Sequence, residues 1–338
     1  MKLISFSVKN YKSIKEKIEL SMVAGSINER KDSNVFAIGK NIELLKSAAI
    51  YGPNASGKTS IFEALIFMLS FIRNSAKESQ IGESIKTIPH LLNSSTENDP
   101  SFFELVFLDC SSENIYRYGF EVTREKVIKE WLYYWNYLEF KKREKYIFIR
   151  NEQDFYISRD FRKEISPRIG HSKDKALFVR NNSLLLSFLA NINSKLAGAI
   201  VMCLNNIDVS CSSNVFSKEL SNKYLNDKDG SKKINAFLKT ADFGIDKAEI
   251  LSENIDEEMP KKQLDSLFKG FSIILKSSKI IVPDEIITYH KKYNSEGKVD
   301  GSVSFFLDKD ESEGTKRYYN LAGYIIKCLE KGSVLIID

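Results

Sequence analysis

Eight consecutive residues, Gly52, Pro53, Asn54, Ala55, Ser56, Gly57, Lys58 and Thr59, carry the most specific chemistry in the chain. They satisfy the pattern G-x-x-x-x-G-K-[ST]. In that pattern the loop amides wrap nucleotide phosphates, the lysine reaches the β- and γ-phosphates, and the hydroxyl holds Mg²⁺. The flanks suit the task. Ser47–Tyr51 reads as a short buried parallel strand, and Ser60 to Ile72 as an apolar-rich helix with no Gly or Pro to break it. Strand, loop, helix is the order the mechanism needs, because the helix N-terminus must point at the phosphates. Ser60, at the head of that helix, joins the nucleotide-binding set.

A second candidate closes the chain. Ser333-Val334-Leu335-Ile336-Ile337-Asp338 is an apolar run ending in aspartate, the form in which P-loop ATPases present the carboxylate that organises the Mg²⁺ shell. Thr59 and Asp338 are therefore the expected metal pair. In ATPases of this layout the next residue is usually a water-polarising glutamate, so the chain reads as a fragment or a prematurely ended product whose independent hydrolysis is in doubt. A third candidate lies between the two. Ser312, Gly314 and Thr315 open a helical pattern that runs to about Leu329. A hydroxyl, free amides and the positive end of a helix dipole suit an anion there, and they equally describe an ordinary N-cap.

P-loop, long insertion, Ser-x-Gly helix and apolar strand ending in Asp together resemble the ABC-type ATPases of the RecF and SMC class. The opening Leu3 to Ile14, with Asn10-Tyr11-Lys12-Ser13, looks like the first strand of that class, and Lys58 to Leu65 is similar to its post-loop helix. Closer still is a bacterial AAA-type ATPase subgroup linked to abortive infection and other anti-phage systems. It shows G-x-N-A-S-G-K, a stretch like Arg117-Tyr118-Gly119-Phe120-Glu121 leading to Glu130-Trp131-Leu132-Tyr133, and a signature Ser-x-Gly-Thr-Lys/Arg-Arg. The resemblance implies an α/β P-loop NTPase, an ABC-type two-lobed ATPase head, with ATP and Mg²⁺ as cofactors. It makes Lys12 a further nucleotide-binding candidate. It also implies homo-oligomers through ATP-sandwiched heads, in which Ser312, Gly314 and Thr315 contact the γ-phosphate held by a second subunit, and a protein effector of nuclease type. RecF-like DNA repair or maintenance, and a nucleotide-gated assembly protein without hydrolysis, are the competing functions. A P-loop kinase is disfavoured by the late Asp and the signature.

Composition agrees. At 338 residues and 43% hydrophobic, the chain can bury a large core in two or three units. No signal peptide is visible, and the most apolar stretch, Ser183 to Asn205, carries Asn191, Asn193 and Lys195, against a membrane span. Four cysteines without ligand spacing fit a reducing cytoplasm, and His90, His171 and His290 form no cluster. The net charge is +5, and Glu121 to Arg180 holds fifteen Lys/Arg against ten Asp/Glu. A surface that attracts nucleic acid is one reading, and a solvated face of mixed charge the other. Trp131, Tyr133, Trp135 and Tyr137 alternate along one strand face, for cross-strand packing or for base stacking.

Three stretches follow from texture. Residues 1–166 form an N-lobe with the P-loop and an antiparallel part, in which Phe102 to Leu108 and Ile115 to Val122 pair across a polar turn, followed by Val127 to Tyr137 and Tyr146 to Arg150. Residues 167–277 form a compact helical insertion, with helices over Leu184 to Ile207 and Leu264 to Leu275 and no sustained heptads. Residues 278–338 return to strands, with Ile280 to Tyr289 pairing Lys298 to Leu307 ahead of the signature helix and the final strand.

Overall fold

Alternation of large apolar and polar residues builds the main sheet. The protein, seen in a computed structural model, is described at residues 1–39, 42–139, 143–172, 175–176, 178–210, 216–241, 243–251 and 285–337. It divides into two units, Met1–Ser212 with Gly332–Asp338, and Ser213–Lys331. In the first unit the strands are β1 (Lys2–Lys9), β2 (Ile18–Ser21), β3 (Val35–Ile38), β4 (Ile42–Leu45), β5 (Ser101–Asp109), β6 (Asn114–Val122), β7 (Val127–Asn136), β8 (Lys145–Asn151), β9 (Asp154–Ile157), β10 (His171–Ser172) and β11 (Lys175–Ala176). Nine of them form one sheet in the order β10-β11-β9-β8-β7-β6-β5-β1-β2, while β3 and β4 make a separate hairpin. The expected pairings of residues 101–151 are present, β5 to β6 to β7 to β8, all antiparallel.

One face of that sheet is the core. Phe6, Phe103, Leu105, Tyr118, Phe120, Leu132 and Phe148 meet a long helix that follows the P-loop. The chain's helices begin with α1 (Lys31–Asn34), and this P-loop helix is α2 (Lys58–Glu78). Leu65, Met68, Leu69 and Ile72 recur at helical spacing and bury its inner stripe, each large side chain contributing roughly 1.5–3 kcal/mol. The opposite sheet face is packed side chain on side chain around Trp131 and is buried in a smaller cluster around Trp135. The Trp131 ring lies over Gly119, where an added Cβ would stand 2.4 Å from it, so only glycine fits. Its Nε1–H donates to Glu104 Oε2 at 3.0 Å, and the Arg117 guanidinium sits 4.3 Å above the Tyr133 ring. Trp135 is buried among Ile4, Ile38, Leu44 and Ile115. Of the two readings of this aromatic stripe, cross-strand packing is the one seen. The basic residues nearby are interleaved with acids: Arg117 pairs with Glu104 and Glu144, Lys126 with Glu152, and Lys129 with Glu121.

The helical stretch after residue 166 departs from expectation. α3 (Arg162–Ile169), α4 (Leu185–Asn191) and α5 (Lys195–Leu204) stay in the first unit instead of projecting as an insertion. Leu184, Leu185, Leu186, Leu189, Ala197, Ile200 and Leu204 belong to the same core as α2 and the sheet. The cause is composition. α4 and α5 are apolar on too many sides to stand alone, so they complete the core above α2, while α3 adds Ile165 and Ile169 to it. A buried carboxylate fixes the head of α4. Glu130 accepts the amides of Leu185 (2.6 Å) and Leu186 (2.9 Å), the free N–H groups at the head of α4, and the Tyr118 hydroxyl at 2.9 Å. Arg150, equally buried, lies 3.5 Å from Glu130 and donates to Ser183 O at 2.6 Å. Burial pushes the Glu130 carboxyl upward, and Arg150 with the two amides opposes that push.

After α5 the chain enters β12 (Ile207–Ser210), which pairs in parallel with the last strand of the chain, residues 334–337, in the register Ile207↔Val334 to Ser210↔Ile337. Arg73 of α2 ties the end of α5, just ahead of this pair, to the P-loop helix, donating to Asn205 Oδ1 at 2.8 Å and Leu204 O at 3.3 Å. Among the described residues no single helix is long and apolar enough to cross a membrane. α4 and α5 pass such a test only together and are bent by 109°.

The second unit opens with α6 (Lys218–Asn226) and α7 (Lys228–Thr240), followed by an antiparallel sheet of β13 (Ile245–Leu251), β14 (Glu285–Tyr293) and β15 (Val299–Phe306). The expected hairpin is β14–β15 from Glu285 onward, Ile280 to Asp284 lying outside the described residues, and it closes where Asn294 Oδ1 accepts the amides of Glu296 and Lys298. A short turn of helix, α8 (Leu307–Asp310), leads to α9 (Glu313–Lys331). Leu225, Ile234, Leu238, Ala248, Tyr319, Ala322 and Ile326 fill the core. β13 is a strand inside the stretch read as helical, and the expected helix over Leu264 to Leu275 lies outside the described residues. The last strand, β16 (Val334–Ile337), belongs to the first unit, not to the unit of α9.

Candidate nucleotide-binding site

Backbone conformation shapes the loop before any side chain acts. Ala55 (φ +63°) and Gly57 (φ +95°) are left-handed, the alternation that curls successive amides into an anion-binding concavity. Gly57 is the N-cap of α2, no side chain caps the helix, and its first turn carries no acid. The opening amides and the positive end of a 21-residue helix are thus left to an external anion. Residues 52–56 are exposed, and so is Thr59. Lys58 lies across the loop, its Nζ donating to Gly52 O and Pro53 O, both at 2.8 Å. These are neutral acceptors, which a phosphate oxygen outcompetes as a charge-assisted partner. The donor set fits a polyphosphate.

Ser47–Tyr51 does not form the expected buried strand. The segment is irregular, Tyr51 is 91% exposed, and no strand pairs with it among the described residues. An extended segment without a partner strand leaves its amides and carbonyls to water, so nothing holds it in the interior. Ser60 is buried and its Oγ accepts from Ser13 Oγ at 2.7 Å, so its hydroxyl is engaged. Lys12 sits beside the same helix turn, paired with Glu63 at 2.6 Å. Asp338 lies outside the described residues. Its strand β16 is half-buried, with Ile337 46% exposed, and is linked through β12 to α2.

In the second unit Ser312 acts on its own helix. Its Oγ accepts the Thr315 amide at 3.1 Å and lies 2.9 Å from Thr315 Oγ1, the geometry of an N-cap for α9. Gly314 leaves space, since the nearest atom to an added Cβ is Ser312 Oγ at 3.6 Å. Glu311, just before the cap, is held to β14 by Thr288 Oγ1 at 2.5 Å and His290 Nε2 at 2.7 Å. Among the described residues no group of three or more His, Cys, Asp or Glu could hold a metal ion on its own.

Sequence reasoning overlooked Ser13 and Glu63 as neighbours of the loop. A signal for Glu63 existed: it stands four residues after Thr59 and so shares its helix face. Ser13 stands in the Asn10-Tyr11-Lys12-Ser13 motif of the first strand, where sequence reasoning singles out only Lys12 as a site residue.

A phosphate-gripping loop at the head of an uncapped helix, in a mixed α/β chain, defines a P-loop nucleotide-binding domain. Residues 47–338 match the family described as "AAA domain, putative AbiEii toxin, Type IV TA system", and the chain belongs to that family. It is an AAA-family, nucleotide-binding ATPase domain. No curated protein matches it.

Proposed function

We propose that the chain binds Mg-ATP at Gly52–Thr59 and that nucleotide drives two copies of an ABC-type head together, as the ATPase of an abortive-infection, anti-phage system working with a protein effector. The observation that carries the first part is the uncapped, acid-free start of α2 behind a loop whose lysine rests only on neutral carbonyls. The family's description, which names an AbiEii toxin and a type IV TA system, favours defence over DNA repair.

In this reading Lys58 and the loop amides hold the phosphates, Lys12 adds a second cation, and Thr59 with Asp338 would hold Mg²⁺. The metal, when bound, neutralises charge on the β- and γ-phosphate oxygens. What the chain contributes is position and electrostatics: fixed amides, fixed charge and a helix dipole that need no reorganisation as charge shifts. Ser312, Gly314 and Thr315 of one copy approach the nucleotide of the other.

Titration calorimetry with Mg-ATP tests the core of this reading. Wild type should bind, and Lys58→Ala should lose at least tenfold in affinity with an unchanged melting curve. Equal affinity in the variant would sink the assignment.

A further inference from the structure

The turn that closes β1 brings a second lysine to the P-loop helix, and its surroundings show which part of it can move. The backbone of Lys12 is clamped. Its amide donates to Ile88 O at 2.8 Å, its carbonyl accepts from His90 Nδ1 at 2.9 Å, and its φ is +49°. Asn10 locks the same turn, with Nδ2 donating to Thr96 O (2.8 Å) and Asp99 O (2.9 Å) while Oδ1 accepts the His90 amide at 2.9 Å. Ser13 then docks the turn on the nucleotide site: besides its bond to Ser60, its Oγ would stand 2.9 Å from a Cβ added to Gly57. Only the Lys12 side chain retains a choice of partner. It lies on Glu63 Oε1 at 2.6 Å, with the two side chains 30% and 34% exposed.

We propose that Glu63 is the resting counter-ion of Lys12, that bound nucleotide draws Lys12 away from it, and that Glu63 thereby sets affinity for the phosphate chain. This rests on the reading of Gly52–Thr59 as the nucleotide site. Lysine is a compact charge on a flexible four-carbon stem, so it passes from carboxylate to phosphate by rotamer change alone. With the backbone already ordered, the entropic cost of capture is confined to that side chain. The carboxylate competes for the same ammonium. Removing it frees Lys12 for the ligand, and an ion pair of this exposure has an effect of about two- to fivefold on an equilibrium.

The test is a calorimetric cycle on the full chain with Mg-ATP, using wild type, Lys58→Ala, Lys12→Ala, Glu63→Gln and Lys12→Ala/Glu63→Gln, with adenosine as the phosphate-free control. Glu63→Gln should tighten ATP about two- to fivefold, Lys12→Ala should weaken it, and the double variant should match Lys12→Ala. Adenosine binding should not change. Glu63→Ala gives the same readout if the amide variant folds poorly. Unchanged or weaker ATP binding by a folded Glu63 variant overturns the proposal. So does equal tightening in the Lys12→Ala background, which is plain relief of charge repulsion. If wild type binds and Lys58→Ala does not, a flat cycle removes this inference alone. A wild type that binds no ATP removes the P-loop reading and this inference with it.

Discussion

Each candidate polar side chain, at the loop of the first unit or at the head of α9 in the second, is defined by the partners it already has. Lys58 rests on neutral carbonyls, Ser60 on Ser13, and Ser312 on the head of its own helix, whereas Thr59 lies exposed at the start of α2. If Thr59 serves Mg²⁺, then Thr59→Ala should leave metal-free ATP binding intact and remove about tenfold of the gain that Mg²⁺ adds, about the worth of one polar contact. Calorimetry with and without the metal reads this directly, and an undiminished Mg²⁺ effect would exclude Thr59 as a ligand. Ser312 poses a different question, because its cap role is visible and its role toward a second copy is proposed. Ser312→Ala should cost about 1 kcal/mol of stability, and Ser312→Asn, an equally good cap, should restore it. ATP-dependent association, followed by sedimentation, should fail in both variants. Association retained in Ser312→Asn would leave the serine only its cap.

The elements show where sequence was enough and where it was not. β5 to β8 were legible because their side chains alternate toward one buried face and polar turns separate them, information carried within each hairpin. α2 was legible from apolar spacing without breakers, and α9 from apolar spacing in spite of Gly314 and Gly323. The placement of residues 184–207 was not. Their helical pattern is local, but what they pack against depends on Glu130, some 55 residues earlier, whose carboxylate reads in sequence as one more charge on a mixed strand. The segment 47–51 failed for the opposite reason: its apolar run suits a strand, and strand identity needs a neighbour that no local pattern supplies. β13 was hidden likewise, inside a polar, helix-like stretch. The Glu130 clip makes a sharp prediction at this scale. Glu130→Gln would turn an NH₂ group toward donors and leave Arg150 without its counter-charge, at a cost of about 3–5 kcal/mol. Urea denaturation should show the loss. A cost below about 1 kcal/mol would mean that the clip is incidental, as for a surface ion pair.

Across the whole molecule the two units are separable by spectroscopy, since both tryptophans, Trp131 and Trp135, belong to the first. Two units of independent core need not melt together, so a single transition should not be assumed. Tryptophan fluorescence follows the first unit alone, and a titratable group inside that core gives it a pH signature. Burial pushes the Cys203 thiol up to about 12, with the Asp109 carboxylate acting in the same direction. An unfolded thiol titrates near 8.5. Between those values the unfolded chain has released a proton that the folded chain keeps, so stability is full below about pH 8.5 and falls as pH rises toward 12. At pH 9.5 the loss from this group should be about 1 kcal/mol relative to pH 7.5. Tyr116 and Tyr118, also raised by burial, add the same sign at still higher pH. Cys203→Ala should lower stability at both pH values, because it empties core volume, yet flatten the slope between them. Thiol labelling offers an independent check: exposed Cys110 should react at pH 8, whereas Cys203 reacts only after the first unit opens. A Cys203→Ala slope as steep as that of wild type would show that the alkaline loss arises elsewhere in the core.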